Sequence, residues 1–309
     1  MRSIGIDLGG TKMSAGLIDG SGSVLEKITV ARPFDQDAME QHPLELAARL
    51  MRPGVAAIGL GAAGMLSWPE GRLAWGPNVA GCDIPFKELL ENRFGLPAMV
   101  DNDANLAAWA ESRIGAARHY HHVLLVTLGT GIGGGIVIGG EIYRGRSFAG
   151  EVGHMVVDVG GPRCTCGQRG CWEVFASGRR LDQIARDVVA SDPTGLTAAL
   201  AGSELPHGIH LTEAAIQGDP TALQSIAEMG NWLGIGLASL VAVLDPEVIV
   251  VGGGAARAGD ILLQPTRDSM VAALEGSAFR QPTAVVAAAL GEEAGIIGAG
   301  LAALEVLHD

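Results

Sequence analysis

The chain has 309 residues, 48% of them apolar, and carries 21 Lys and Arg against 34 Asp and Glu, a net charge of −13. That length suits two domains with sizeable cores rather than one small module. The charge repels nucleic-acid backbones and anionic lipid surfaces, so neither nucleic acid nor a membrane is expected as a partner, although backbone N–H groups can still bind phosphate locally on an acidic protein.

The opening MRSIGIDLGG places Asp7 where the apolar centre of an export signal would stand, so the expected location is the cytoplasm. Ile4 to Asp7, Lys12 to Ile18 and Val24 to Val30 are short β-branched runs parted by Gly-Gly and Asp-Gly-Ser-Gly, which predicts three antiparallel strands. VAAIGL (55–60) reads as a further strand, PFKELLENRFG as a helix with Pro at its start and Gly95 past its end, and PAMV (97–100) as a strand. DNDANLAAWAESR then opens a helix on Asn and Asp. Val123 to Leu128, Gly135 to Ile138 and Glu141 to Arg144 repeat the three-stranded plan, so the chain reads as two related halves. Thr221 to Leu244 predicts a long apolar helix, EVIVVGGG a buried strand ending in glycines, AVVAAAL another strand, and EEAGIIGAGLAALEVL a closing helix. The longest uncharged run, Met229 to Leu244, falls short of the ~20 apolar residues of a membrane span and reads as a buried helix. Strands alternating with helices around two meanders predict an α/β protein of two lobes with a cleft between them.

GLGAAG (59–64) and GTGIGG (129–134) both fit G-x-G-x-x-G, but each runs into strand or loop where a dinucleotide site needs a helix, so both are rejected as that fingerprint. DLGGTK (7–12) alone would be an ordinary hairpin turn. Together, DLGGT, LGTGIGGG and VVGGG (250–254) each close a predicted buried strand, and could gather backbone donors for a polyphosphate at one cleft. Asp7 is placed to hold Mg²⁺ directly or through water, Thr11 and Thr130 add hydroxyls, and Lys12 adds charge.

Four cysteines are too few for a disulfide scaffold. Cys82 stands alone and is expected in the core. The segment GHMVVDVGGPRCTCGQRGCWE (153–173) gathers His154, Cys164, Cys166 and Cys171, a donor set that favours tetrahedral Zn²⁺. Its spacing is not the commonest zinc-finger pattern, and the other reading is a redox pair, disfavoured because C-x-C would close a small strained ring. Four protein donors would make the ion structural rather than catalytic.

DLGGTK, LGTGIGGG, the cysteine segment and VVGGG, in this order, resemble the ROK family of sugar kinases, within the actin-like, hexokinase/ribonuclease H-like ATPase fold. The resemblance runs almost end to end, and GLPAMVDNDANLAAWAE, GCWEVFASGR and LVAVLDPEVIVVGGG are most similar to the bacterial, actinobacterial-type glucokinases of that family. It implies a smaller lobe of residues 1–117, with the C-terminal helix 293–309 packed back on it, and a larger lobe of 118–292 holding the zinc segment 154–171. It implies ATP with Mg²⁺ on Asp7, Gly9, Gly10, Thr11, Lys12, Thr130, Gly131, Gly133, Gly253 and Gly254. It makes Asp103 the general base and puts glucose or a related hexose against Gly64, Asn78, Asn102, Asp103, Glu151, His154 and Glu173, His154 using its second ring nitrogen. Read alone, Asn102 and Asp103 are also ordinary helix caps, and Glu151 and Glu173 solvated carboxylates.

The expected activity is therefore ATP-dependent phosphorylation of a hexose 6-hydroxyl, with glucose favoured over N-acetylmannosamine, N-acetylglucosamine or fructose. ATP is favoured over polyphosphate, whose long anionic track asks for more Lys and Arg. Family relatives that repress transcription carry a helix-turn-helix before the first strand, and with that strand at Ile4 there is no room for one. A sugar-binding protein without turnover fits Asp7, Thr11 and Asp103 less well. The family also implies a homodimer or homotetramer.

Overall fold

The computed structural model describes residues 1–76 and 80–307. The first half runs β1 (Arg2–Leu8), β2 (Lys12–Asp19), β3 (Val24–Ala31), α1 (Gln36–Leu50), β4 (Val55–Ala62), β5 (Met65–Ser67), β6 (Arg72–Trp75), α2 (Phe86–Phe94), β7 (Ala98–Asn102) and α3 (Asp103–Arg113). There follow β8 (Val123–Leu128), β9 (Ile132–Ile138), β10 (Glu141–Ile142), α4 (Glu173–Ala176), α5 (Gly178–Ser191), α6 (Leu196–Ala201) and α7 (Gly208–Ile216). The chain closes with α8 (Pro220–Leu244), β11 (Val248–Gly252), α9 (Asp260–Ala273), β12 (Ala284–Ala287) and α10 (Ala294–Glu305).

The two five-stranded sheets have the orders β3-β2-β1-β4-β7 and β10-β9-β8-β11-β12, so the second repeats the plan of the first, as the paired meanders predict. In the first, β1 runs antiparallel to β2 and parallel to β4, and β4 runs parallel to β7. Parallel register sets Asp7 beside Gly61 and Ala62 beside Asn102, so the C-terminal ends of β1, β4 and β7 deliver their last residues to one edge. In open α/β sheets that edge is where ligands bind.

The chain folds as two compact units, one of residues 1–125, 135–150 and 288–309, the other of 126–134 and 151–287. At the centre of the first, α10 lies between the sheet and α3. A Cβ on Gly5 or on Gly59 would stand 1.9 Å from a backbone oxygen of α10, Ile296 O or Ala299 O, and one on Gly298 would stand 1.8 Å from Leu106 O of α3. Backbone meets backbone on both sides of the helix, which only glycine permits. The buried Glu111 of α3 holds the entry to α10, its carboxylate accepting the N–H groups of Ala289 (3.1 Å), Leu290 (2.8 Å) and Ala116 (2.7 Å).

In the second unit, α8 starts on an Asp219 cap with Pro220 in its first turn and packs along α9, where Gly230 and Gly234 admit the α9 backbone. By length and composition α8 could cross a membrane, being longer than its uncharged run, but 56% of its most apolar window is buried inside the protein. It is a core helix.

Four local expectations change. β9 begins at Ile132, so Gly133 and Gly134 lie within the strand, and Gly135 is small because the Ala104 carbonyl of α3 passes 2.4 Å from where its Cβ would be. The stretch after GLGAAG, expected as loop, forms the β5-β6 hairpin. The strand expected to reach Arg144 stops at Ile142. Cys82 is exposed rather than in the core, because it sits between Gly81 (φ 91°) and Asp83 (φ 58°), two left-handed residues that turn the chain away from the interior.

Gly59→Ala should lower the unfolding free energy by at least ~1–3 kcal/mol through overpacking. Gly20→Ala, whose Cβ meets nothing nearer than 3.8 Å, should change it by less than ~0.5 kcal/mol. Urea denaturation of both variants checks this.

Candidate active site

Asp7, next to last in β1, lies beside the first turn of α10, where a Cβ on Gly295 would meet its carboxyl carbon at 2.7 Å. Asp103 opens α3. Its Oδ1 accepts the Ala104 N–H at 2.8 Å. Burial, then the charge of Asp103, pushes Asp7 up to about 7 against the pull of Lys12 and Lys27. Burial pushes Asp103 up to about 6, opposed by backbone hydrogen bonds. Both residues are half-buried. A carboxyl that titrates near 6 is ionised at neutral pH yet basic enough to take a proton.

Asn102 is the α3 cap. Its Oδ1 accepts from Ala104 N (2.9 Å) and Asn105 N (3.2 Å), while Nδ2 donates to Gly64 O at 3.2 Å. One amide hydrogen remains for a ligand. The expected sugar contacts Gly64, Asn102 and Asp103 thus lie on one bonded edge of the first unit, and Asn78 lies outside the described residues. The glycine turn after β1 is closed by Gly9 N donating to Lys12 O at 3.1 Å. Thr11 is exposed, and Lys12 reaches Glu292 in an exposed ion pair, so its charge is shared before any phosphate arrives.

In the second unit two of the glycine turns meet. Gly253, at φ 85°, lies against the end of β8, where a Cβ would be 2.6 Å from both the N and O of Leu128. Gly129 and Gly254 have nothing within 4 Å of a Cβ position and neither has a positive φ, so at both the absent side chain leaves open space beside the backbone. Such space lets phosphate or a nucleotide approach backbone N–H groups. Thr130 and Gly131 lie in the turn before β9, and Gly133 lies in the strand itself.

The ligand atoms of His154, Cys164, Cys166 and Cys171 all lie within 4.8 Å of one another. Cys166 Sγ and Cys171 Sγ are 3.6 Å apart, and Cys164 Sγ is 3.7 Å from His154 Nδ1. The edge of a tetrahedron with metal–sulfur bonds of ~2.3 Å is ~3.7 Å, so these separations suit one tetrahedral ion. Burial, then the hydrogen bond from Cys164 Sγ to Glu173 Oε1 (2.9 Å), pushes the Cys164 thiol up, and burial also raises Cys171. Deprotonating such a cluster calls for a cation. No disulfide is formed.

The cluster is tied to its surroundings on two sides. Trp172, wholly buried, lies against Gly236 of α8 and donates Nε1–H to Trp232 O at 2.9 Å. Glu173 faces the cysteines through Oε1, while its Oε2 would stand 2.2 Å from a Cβ on Gly131. The cysteine segment therefore packs directly on the glycine loop after β8. Glu151 precedes a short 3-10 turn, Val152–His154, and accepts the His154 N–H through its carbonyl at 3.1 Å.

The ROK family signature spans residues 3–306. The chain is 40% identical over 304 residues to a glucokinase of Streptomyces coelicolor, covering 96% of each. The chain belongs to the ROK family. This ROK chain superposes with a TM-score of 0.91 on the crystal structure of a ROK family glucokinase from Streptomyces griseus in complex with glucose and AMPPNP, at 40% identity and covering 99% of this chain and 100% of that one. It is also 30% identical to a xylose repressor of Caldicellulosiruptor bescii, over 70% of this chain but 54% of the repressor. The fold is the α/β, two-lobed actin-like fold that the motifs imply.

Sequence reasoning passed over Asp101 and Arg144, an ion pair at 2.7 Å behind Asn102. The signal was a second aspartate in DND, one residue before Asn102.

Because Asp7 and Asp103 both titrate above the ordinary 3.8, the folded state binds more protons than the unfolded state between about pH 4 and 7, and their contribution to stability falls as pH rises. Asp103→Asn, which keeps the acceptor for Ala104, should therefore gain stability relative to the unmodified protein on going from about pH 5 to about pH 8. Urea midpoints across that range measure it.

Proposed function

We propose that this ROK chain phosphorylates glucose with ATP, at the 6-hydroxyl, and that it does so in the cytoplasm. The observation that carries the reading is the partly buried Asp103 at the start of α3, titrating near neutrality on the same edge as Asp7 and the Gly64–Asn102 bond. Full-length similarity to glucokinases, against partial similarity to a repressor, supports an enzyme.

Asp103 takes the proton from the sugar hydroxyl as its oxygen bonds to the terminal phosphorus and the bond from that phosphorus to the bridging oxygen breaks, releasing ADP. The helix N-terminus favours the carboxylate form that can take the proton. Phosphoryl transfer otherwise asks for alignment and charge neutralisation. A magnesium ion held by Asp7 would neutralise the phosphates. Gly129 and Gly254 offer the donor open backbone, Gly131, Gly133 and Gly253 belong to the same glycine segments, and Thr130, Thr11 and Lys12 stand beside the phosphates. The hexose is held by Gly64, Asn78, Asn102, Glu151, His154 and Glu173. His154 Nδ1 faces the cysteines, which leaves Nε2 for a hydroxyl. Each hydroxyl both donates and accepts, so an isomer that leaves one of these groups unmatched binds worse.

Zinc in the His154, Cys164, Cys166 and Cys171 cluster is part of the same proposal. Its four protein donors leave no open position, so it is structural. A homodimer or homotetramer is supported by exposed apolar residues such as Ile235 and Val243 on α8.

Asp103→Asn should lower kcat on glucose by ~10²–10⁴ while calorimetry still detects glucose binding. Unchanged turnover would remove Asp103 as the base. A coupled assay with glucose, N-acetylmannosamine, N-acetylglucosamine and fructose, each with ATP or polyphosphate, should show glucose with ATP as the fastest pair. Elemental analysis should find one zinc per chain, lost in Cys171→Ser together with a lowered thermal midpoint.

A further inference from the structure

Behind the Asn102–Asp103 turn lies a buried ion pair that the proposed chemistry does not use. Asp101 is 4% exposed and Arg144 17%, and Arg144 Nε donates to Asp101 Oδ2 at 2.7 Å. The other carboxylate oxygen, Oδ1, accepts the Asn102 N–H at 2.7 Å and Asn105 Nδ2 at 3.0 Å. Asp101 therefore fixes the backbone of one expected sugar ligand and the residue two past the base.

The same guanidinium lies over Trp68, its carbon 3.8 Å from the ring centroid. Trp68 follows β5, four residues after Gly64, and its N–H donates to Ser147 Oγ at 3.1 Å. The stretch 144–147 thus grips both segments of the acceptor edge, the one ending in Gly64 O and the one ending in the Asn102 amide, which are themselves joined at 3.2 Å. Ser147 has φ 105°, a backbone that L-residues rarely adopt. Strain of this kind persists where surrounding contacts over-determine it, and it collects at functional sites.

The chemistry selects arginine. A guanidinium can pair through one edge and stack through its face at once, whereas an ammonium is a compact charge that does one or the other. A carboxylate buried to this degree and left without its cation is strongly unfavourable and would draw the turn towards solvent.

We propose that Arg144 and Asp101 are positioning residues for the sugar side of the reaction. They hold the Gly64 carbonyl, the Asn102 amide and Asp103 in one rigid arrangement without touching the hexose. The proposal rests on the reading of Asp103 as base and of Gly64 and Asn102 as sugar contacts.

Arg144→Met keeps the aliphatic stem and removes the charge. It should lower kcat by ~10-fold or more and raise the KM for glucose, because small misplacements near the reacting atoms are costly in rate. The KM for ATP should stay within about 2-fold, since uniform donor binding is untouched. A pair with only a structural role would lower the thermal midpoint and leave the glucose KM where it was. Arg144→Lys should fall between. The double variant Asp101→Asn/Arg144→Met, which carries no unpaired buried charge, should recover several-fold of the lost kcat. If Arg144→Met does not fold, the Lys and double variants carry the same reading. Folded Arg144 variants with unchanged kcat and glucose KM, or a double variant no better than Arg144→Met, would overturn the proposal. Asp103→Asn measured in parallel separates the two claims. If it abolishes turnover while Arg144→Met does nothing, the positioning role alone is refuted. If it leaves turnover intact, the base assignment falls, and the glucose KM of Arg144→Met still tests the positioning of Gly64 and Asn102.

Discussion

The approach of α10 to β1 and β4 on one side and to α3 on the other, with carbonyls where side chains would stand, is the constraint on which the first unit depends. Asp7 is the next-to-last residue of β1, and Asp103 is the first of α3. Both elements take their position from the same helix, so the helix sets how strongly one carboxylate feels the other. Packing at this density tolerates little adjustment, and a change of one methyl group at Gly5, Gly59 or Gly298 would be felt at the site. Glu111 closes the arrangement by fixing the residues that lead into α10.

The second unit solves the same problem with chemistry instead of glycine packing alone. The stretch 153–173 has no strand and no α-helix before Glu173, so its order rests on side-chain contacts. Three sulfurs and a ring nitrogen at tetrahedral spacing give it a local centre, and Trp172 anchors that centre to α8. Glu173 then belongs to two structures at once, the cysteine cluster and the glycine loop after β8.

Much of the fold was legible because its signals are local. Meanders broken by Gly-Gly pairs, the Asn102 cap, and Pro85 before and Gly95 after α2 each declare themselves within a few residues, and the gathered histidine and cysteines did the same for the cluster. What escaped the sequence depends on partners far along the chain. Glu111 resembles any helix-surface acid until residues 289 and 290 are placed against it, and Asp101 is 43 residues from Arg144. The exposure of Cys82 follows from two left-handed neighbours, which residue type alone does not reveal. Asn102 shows a subtler limit. The sequence offered cap or sugar ligand as alternatives, and the geometry spends most of its hydrogen bonds on the cap and on Gly64 while keeping one for a ligand.

The first unit is drawn from three separate stretches of chain, and the helix at its centre belongs to the last of them. On a ribosome, β1, β4 and α3 emerge long before α10, and at ~5–20 residues per second the intervening residues take about ten to forty seconds to make. Throughout that interval the glycine backbones of β1 and β4 have no α10 to pack against. Such an unpacked surface is a natural target for holding chaperones, and a polypeptide truncated before Ala294 should be cleared by proteolysis rather than persist as a weakened enzyme.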